Sequence, residues 1–401
     1  MLLIDSRESG VHVMSNYLGY DESWLTENKG IHTAREIQQQ PALWRQLIGS
    51  LFEKRVEIDA FMTSILSKKE LRIILTGAGT SAFAGEAIAP YLQQFNGFNV
   101  EAIASTDIVS NPSQYLDSNK PTLLVSFARS GNSPESVAAV ELADQLVPDC
   151  HHLFLTCNAE GELSKYANKH ENSLCVLMPE LSNDQSFAMT SSFTCMTMSA
   201  LAILGEKNLE VTASSVEKIA SVCEKRIPEW TNLVSNLAKK DYKRLVVLGS
   251  GGFVGLAREA SLKSLELSAG KVMTAYDSSL GFRHGPKFTI NSEMLVIQFL
   301  SSDPYTRQYD IDLYNEISSD NQVLGLVALS EESFTGLNTV ELGHTGLDEV
   351  WLSFPYIIFA QMLAFEKSLQ LGLGPDNPCP TGEVNRVVEG VSIHSYKNNN
   401  Y

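Results

Sequence analysis

Positive charge is scarce in this sequence: 30 lysines and arginines stand against 47 aspartates and glutamates, a formal net charge of -17 over 401 residues. Such a chain repels DNA, RNA and anionic membrane over distances up to the Debye length, about 10 Å. Nucleic-acid and membrane partners are therefore not expected, and an anionic substrate would have to be held by local groups. Paired cysteines are lacking as well. The six, Cys150, Cys157, Cys175, Cys195, Cys223 and Cys379, form no CxxC pair, and no histidine spacing completes a zinc site. A reduced cytoplasmic protein without a metal is the expectation. No run of about 18 apolar residues occurs, and Asp5, Arg7 and Glu8 interrupt any signal core. The longest uncharged stretch, Met189 to Gly205, is rich in Ser and Thr and reads as a buried helix.

What is present is material for a large core, with 44% apolar and 19% charged residues in a chain too long for one ordinary domain. Short apolar runs (IIL at 73, LLV at 123, LFL at 153, VVL at 246, LVI at 295, LGLVAL at 324) alternate with helical patterns. Continuously apolar runs suit strands covered on both faces, and helices between them imply parallel crossovers. The two halves also match each other. LRIILTGAG (71–79) aligns with KRLVVLGSG (243–251), LLVSFARS (123–130) with LVIQFLSS (295–302), and HHLFLTC (151–157) with VLGLVAL (323–329), every pair 172 positions apart. Three matches at a constant offset predict an α/β chain of two tandem doubly wound, flavodoxin- or Rossmann-like parallel-sheet domains related by duplication. The expected division is a helical extension over 1–45, domains over 46–210 and 215–374, and a C-terminal tail over 375–401. The polar segment EKNLEVTASS near 206–220 is read as the boundary, and PDNPCPTG (375–382) as a linker into the tail.

Each repeat opens with a strand running into glycines, TGAGTSAFAGEA (76–87) and GSGGFVGLAREA (249–260). Glycine permits the sharp turn, and the free amides of the following helix suit an anion. Gly77, Gly79 and Ala82 imitate a dinucleotide fingerprint, but Glu101 and Asp107 fit poorly as the acidic residue that motif needs. No nucleotide cofactor is expected. A second loop, SFARSGNSPES (126–136), leaves an apolar run for four serines and an arginine, with Ser133 as N-cap and Pro134 at the first helical position. Alone, such a loop is most simply a turn and a cap. Beside Thr80 and Ser81 at the switch point of a doubly wound sheet, it makes a phosphate cradle. Glu135 opposes that reading unless its side chain points aside.

GTSAFAGE, SFARSGNSPES, AMTSSFT (188–194), LKSLELSAGK (262–271), GFRHGPK (281–287), DPYTRQYDIDL (303–313) and GEVNRVVEGV (382–391) together resemble the sugar isomerase (SIS) family, two SIS domains in tandem from about residue 35 onward. The resemblance implies aldose/ketose isomerisation of a phosphorylated hexose. In the branch it fits best, galactosamine 6-phosphate is deaminated to tagatose 6-phosphate, or tagatose 6-phosphate is simply isomerised. By family position, Gly79, Thr80, Ser81, Arg129, Ser130 and Ser133 hold the phosphate, and Thr190, Ser191 and Arg386 meet the sugar. Glu266 carries the carbon proton, with Lys263 three residues before it on the same helical face, and His284 opens the ring. A homodimer is implied, with His284 contributed across the interface.

A more distant relative, the isomerase half of glucosamine-6-phosphate synthase, carries a lysine where this chain has Arg386, and an arginine cannot form a Schiff base. The Glu266 to His284 spacing is also two residues longer here. The N-terminal nucleophilic cysteine of that enzyme is absent, since Leu2 follows Met1, so release of ammonia is expected rather than its fixation. SIS domains also act as sugar-phosphate sensors in transcription regulators. Residues 1–50 are too short and too acidic at their start for a DNA reader, and Glu266 is present, so the enzyme is the expectation.

Overall fold

The computed structural model describes residues 16–206, 208–386, 388 and 390–397. A small antiparallel hairpin, β1 (Asn16–Tyr17) and β2 (Tyr20–Asp21), precedes two five-stranded sheets. The first comprises β3 (Arg72–Thr76), β4 (Asn99–Ala102), β5 (Thr122–Ala128), β6 (Cys150–Thr156) and β7 (Ser173–Leu177). The second comprises β8 (Arg244–Gly249), β9 (Met273–Asp277), β10 (Met294–Phe299), β11 (Gly325–Ser330) and β12 (Thr339–Glu341). Their spatial orders are β4-β3-β5-β6-β7 and β9-β8-β10-β11-β12, with every pairing parallel. Both are the flavodoxin-like order, so the fold class read from the repeats stands. β3, β5 and β10 are buried along their whole lengths, as strands covered by helices on both faces must be.

The duplication extends into the turns. Gly79 and Gly251 take left-handed backbone (φ +56° and +60°). A Cβ on Gly77 would stand 2.6 Å from Ser81 Cβ, and one on Gly249 would stand 2.6 Å from Phe253 Cβ. Only glycine allows either strand to turn this tightly into its helix.

The helices that follow, Thr80–Asn96 and Phe253–Leu267, pack antiparallel on each other. At their crossing a Cβ on Gly252 would be 2.4 Å from Ala87 O, and one on Gly255 2.6 Å from Ala87 N. The two backbones therefore touch with no side chain between them. Glu86 and Arg258, equivalent positions of the two repeats, meet across the crossing at 2.5 Å, with the guanidinium 4.3 Å over the Phe83 ring. This contact fixes one half of the chain against the other.

The Met189–Gly205 reading holds, with a helix at Ser191–Leu204 that is buried on nearly every side. The segment read as the domain boundary is not without regular structure. Asn208 caps a 30-residue helix, Leu209–Ala238, by accepting from Glu210 N at 2.9 Å, and Thr212, Val216, Ile219 and Ala220 face the core. Nor is 375–382 a free linker. Asp376 accepts from Thr33 N and Thr33 Oγ1, both at 2.8 Å, pinning this segment to the start of the Ile31–Gln38 helix.

Gly255→Ala forces the crossing apart. Overpacking of this kind costs about 1–3 kcal/mol, and because Lys263 and Thr80 lie on the two separated helices, kcat should fall with stability. Urea unfolding and steady-state kinetics on the same sample check this; unchanged values in both would show that the crossing tolerates a methyl group.

Candidate active site

The β3 and β5 strands run side by side, Thr76 opposite Ser126, and the chain leaves them for opposite sides of the sheet. The Gly77–Ser81 turn and the Arg129–Ser133 loop therefore flank one crevice at the carboxyl end of the strands, as the sequence leads one to expect. Thr80 and Ser81 are buried at the first turn of their helix, whose N-cap Gly79 has no side chain to occupy the free amides. Ser133 sits at the N-cap of the Pro134–Leu146 helix, but its hydroxyl bonds Ser136 Oγ at 2.6 Å and makes no bond to a backbone amide. The expected cap is thus not made, and the first-turn amides keep no side-chain acceptor. Ser130 is held in place by Asn158, which donates to its carbonyl at 2.8 Å.

Arg129 is 7% exposed, and among the described residues its Nη1 has no hydrogen-bond partner and its Nη2 reaches only Arg386 O, at 3.3 Å. A buried guanidinium this poorly satisfied suits a ligand anion. Glu135 does not turn out to solvent. It is partly buried, and its Oε2 is sealed from water without a partner. Its charge therefore remains close to the loop that carries Arg129.

From the second half comes the Phe253–Leu267 helix. Lys263, fully buried, donates to Thr80 Oγ1 at 2.9 Å and to Glu266 Oε2 at 2.6 Å. One ammonium thus ties the cradle of the first repeat to the candidate base of the second. Glu266 keeps 24% of its side chain exposed, so it can meet a ligand in the crevice.

The sequence reading missed the third member of this group. Glu259, one turn before Lys263, is completely buried and lies 3.5 Å from Lys263 Nζ; among the described residues neither of its oxygens makes a hydrogen bond of good geometry, although Thr80 and Lys263 both lie close enough to lower its pKa. The pattern Glu259-x-x-x-Lys263-x-x-Glu266 puts all three on one helical face, a signal that was available in the spacing. Burial pushes the Glu259 carboxyl up to about 8, with Lys263 opposing and Glu266 reinforcing the shift. Burial pulls Lys263 down, but the two glutamates outweigh it and hold the ammonium above its ordinary range.

The residues expected to meet the sugar have partners of their own. Thr190 and Ser191 are fully buried with their hydroxyls engaged: Thr190 Oγ1 donates to Asp184 Oδ1 at 3.2 Å, and Ser191 Oγ donates to Glu36 O at 2.6 Å. Asp184 also accepts from the amides of Thr190, Ser191 and Ser192, serving the start of the Ser191–Leu204 helix. Arg386 donates to Asp184 O, and its own carbonyl accepts from Arg129. Burial lowers its pKa, as does Arg129, while Glu36 and Asp184 oppose. Glu36 is itself raised to about 8 by burial and by Asp184. Arg386, Glu36, Gln39 and Gln185 border a cavity of about 290 Å³. His284 is exposed on the loop after β9 and, among the described residues, makes no hydrogen bond or ion pair with Lys263, Glu266 or the cradle.

Two parallel five-stranded sheets of the same order, joined through a buried lysine that links a turn of the first to a glutamate of the second, define a double SIS protein. The SIS domain model matches residues 65–204. D-galactosamine-6-phosphate deaminase AgaS of Shewanella sp. (strain ANA-3) is 47% identical to this chain, covering 96% of it and 97% of that protein. The enzyme of the same name from Escherichia coli O157:H7 is 44% identical over 92% of this chain and 97% of its own. Among solved structures, tagatose-6-phosphate ketose/aldose isomerase from Escherichia coli superposes with a TM-score of 0.86 at 42% identity, covering 92% of this chain and 98% of that one. The chain belongs to the SIS family, in the branch of these deaminases and isomerases.

Because Glu259 holds a proton in the folded chain that the unfolded chain releases near 4.5, folding stability must fall as pH rises from there to about 8. Glu36 adds a slope of the same sign. In the difference between Glu259→Gln and the wild type, Glu36 cancels, and the variant should gain on the wild type across that window. Denaturant titrations at several pH values measure it; a difference that stayed constant with pH would mean that Glu259 is ionised in the folded protein.

Proposed function

We propose that this chain deaminates galactosamine 6-phosphate to tagatose 6-phosphate and ammonia by an internal aldose/ketose shift. The observation that carries the reading is the Lys263 ammonium, shared between Thr80 of the cradle and Glu266. A phosphate held by Thr80, Ser81, Ser130, Ser133 and Arg129, with the Gly79 turn beneath it, lies one lysine away from a carboxylate that faces the crevice.

His284 opens the ring to the aldehyde. Glu266 then takes the proton from C2, giving an enaminol, and returns it to C1. The product is a ketimine at C2, which water hydrolyses to the ketose and ammonia. Lys263 holds the Glu266 carboxylate in position through both transfers. Glu259 lies on the same helical face, 3.5 Å from that lysine. Arg386 lies between the Arg129 guanidinium and the 290 Å³ cavity, which supports a role for the 375–401 tail in closing the site. The same groups suffice for isomerising tagatose 6-phosphate, the reaction for which the Escherichia coli structure is named.

His284 completes this site from a second copy of the chain. In support, β9 is an edge strand whose Met273 and Tyr276 are exposed, and Phe288, four residues after His284, is 97% exposed. Apolar surface of this kind on a sheet edge is suited to burial against a partner. All six cysteines are free, in keeping with a reducing cytoplasm.

Glu266→Gln keeps the shape and removes the base, and is expected to lower kcat by about 10²- to 10⁴-fold with KM little changed. Mixed with an inactive His284→Ala variant, it should regain about a quarter of wild-type activity, because half of the dimers then hold one intact site. Ammonia release by Glu266→Gln at the wild-type rate would remove it as proton carrier, and failure of the mixture to recover would place His284 in its own chain's site.

A further inference from the structure

The duplication that builds the first crevice builds a second. In the second sheet, the turn after β8 (Ser250–Gly252) and the loop after β10 (Leu300–Asp303) stand where the Gly77–Ser81 turn and the Arg129–Ser133 loop stand in the first. The antiparallel crossing completes the correspondence. At the common offset of 172, Gly252 answers Thr80, Ser302 answers Ser130, and Tyr91 and Gln94 answer Lys263 and Glu266. Tyr91, Gln94, Gly252, Ser302 and Glu349 all line one cavity of about 890 Å³. It is the counterpart of the active crevice, without its lysine and its base.

Its anion position is already filled. Glu349 Oε2 accepts from Ser302 N at 2.7 Å, from Asp303 N at 3.3 Å, and from the Ser301 hydroxyl. A second carboxylate, Asp310, takes the neighbouring donors: Ser301 N at 3.0 Å, Ser250 Oγ at 2.6 Å and Ser279 Oγ at 2.5 Å. The contrast with the first crevice is sharp. There a buried guanidinium lacks a partner on Nη1, whereas here amides and hydroxyls are satisfied by the chain's own carboxylates. We propose that Glu349 is a built-in anion that closes the second crevice to phosphate and confines the phosphosugar to the first. A phosphate entering would have to displace a carboxylate with four donors, the Ser302 hydroxyl at 3.5 Å being the fourth, and then sit beside the charge it had displaced, in a cavity that also holds Asp303 and Asp348. Glu349 is thus a specificity residue acting at a distance from the reaction, and it accounts for a duplicated fold with one site per chain.

The inference rests on the first crevice being the phosphate site, and one probe tests both parts separately. Equilibrium dialysis with radiolabelled inorganic phosphate should count one phosphate per chain in the wild type and none in Ser130→Ala/Ser133→Ala. It should count two in Glu349→Ala and one in the triple variant. Two phosphates in the wild type, or one in a folded Glu349→Ala, would overturn the proposal. If Glu349→Ala does not fold, Glu349→Gln replaces it; the neutral amide can be displaced, and a second phosphate is expected at higher concentration, with a count of one overturning the proposal. Loss of binding to the first crevice fails differently. Equal counts for the wild type and the double serine variant, together with one added phosphate in Glu349→Ala, would sink the cradle assignment and leave Glu349 standing.

Discussion

Backbone contact between Ala87 and the pair Gly252 and Gly255 sets how closely the two halves of this chain approach, and the chemistry follows from that distance. On the proposed function, neither half holds a complete site. The first contributes the turn and loop that can hold a phosphate, and the second contributes a helix whose Lys263 and Glu266 would have nothing to act on alone. With no side chain at the crossing, the Lys263 ammonium can lie within 2.9 Å of Thr80 Oγ1. A β-carbon at either glycine would separate the lysine from its partner.

Placing a lysine at such an interface is costly unless its charge is matched, and two glutamates on the same helical face match it. With Glu266 ionised and Glu259 protonated, the group is neutral overall, which suits a buried position. In the proposed reaction Glu266 takes a proton from carbon, and that balance is lost. Glu259 lies 3.5 Å from the ammonium. Arg129 presents the complementary case, a buried cation lacking a full set of partners until an anion arrives. The acidic chain thus keeps Lys263 and Arg129 buried at the site proposed for an anionic substrate.

The sheets and the first crevice were legible in the sequence because they depend on local rules: apolar runs for buried strands, glycines for tight turns, a Ser-Pro pair for a helix start. The constant offset of 172 made two sheets of equal order the simplest reading. Contacts between distant segments were not legible. Nothing near Asp376 shows that it caps the Ile31–Gln38 helix, and nothing near Glu349 shows that it fills a nest made by Ser301–Asp303. Thr190 and Ser191 look like free hydroxyls in a polar stretch until Asp184 and the Glu36 carbonyl are seen to engage them. The polar run near 206–220 gave no sign of a long helix, because Thr212, Val216, Ile219 and Ala220 recur at helical spacing against a surface that only the fold supplies. Glu259 alone lay within reach, four residues from a lysine already singled out.

The central claim is that one carboxylate moves a proton between adjacent carbons of an amino sugar phosphate, with loss of the amine. Proton NMR of the wild-type enzyme acting on galactosamine 6-phosphate in D2O tests it most directly. The account predicts tagatose 6-phosphate and ammonium in equal amounts, with deuterium at C1 of the ketose to the extent that Glu266 exchanges with solvent before returning its proton. An amino sugar left untouched, while galactose 6-phosphate and tagatose 6-phosphate interconvert, would contradict the deaminase reading and leave a simple isomerase.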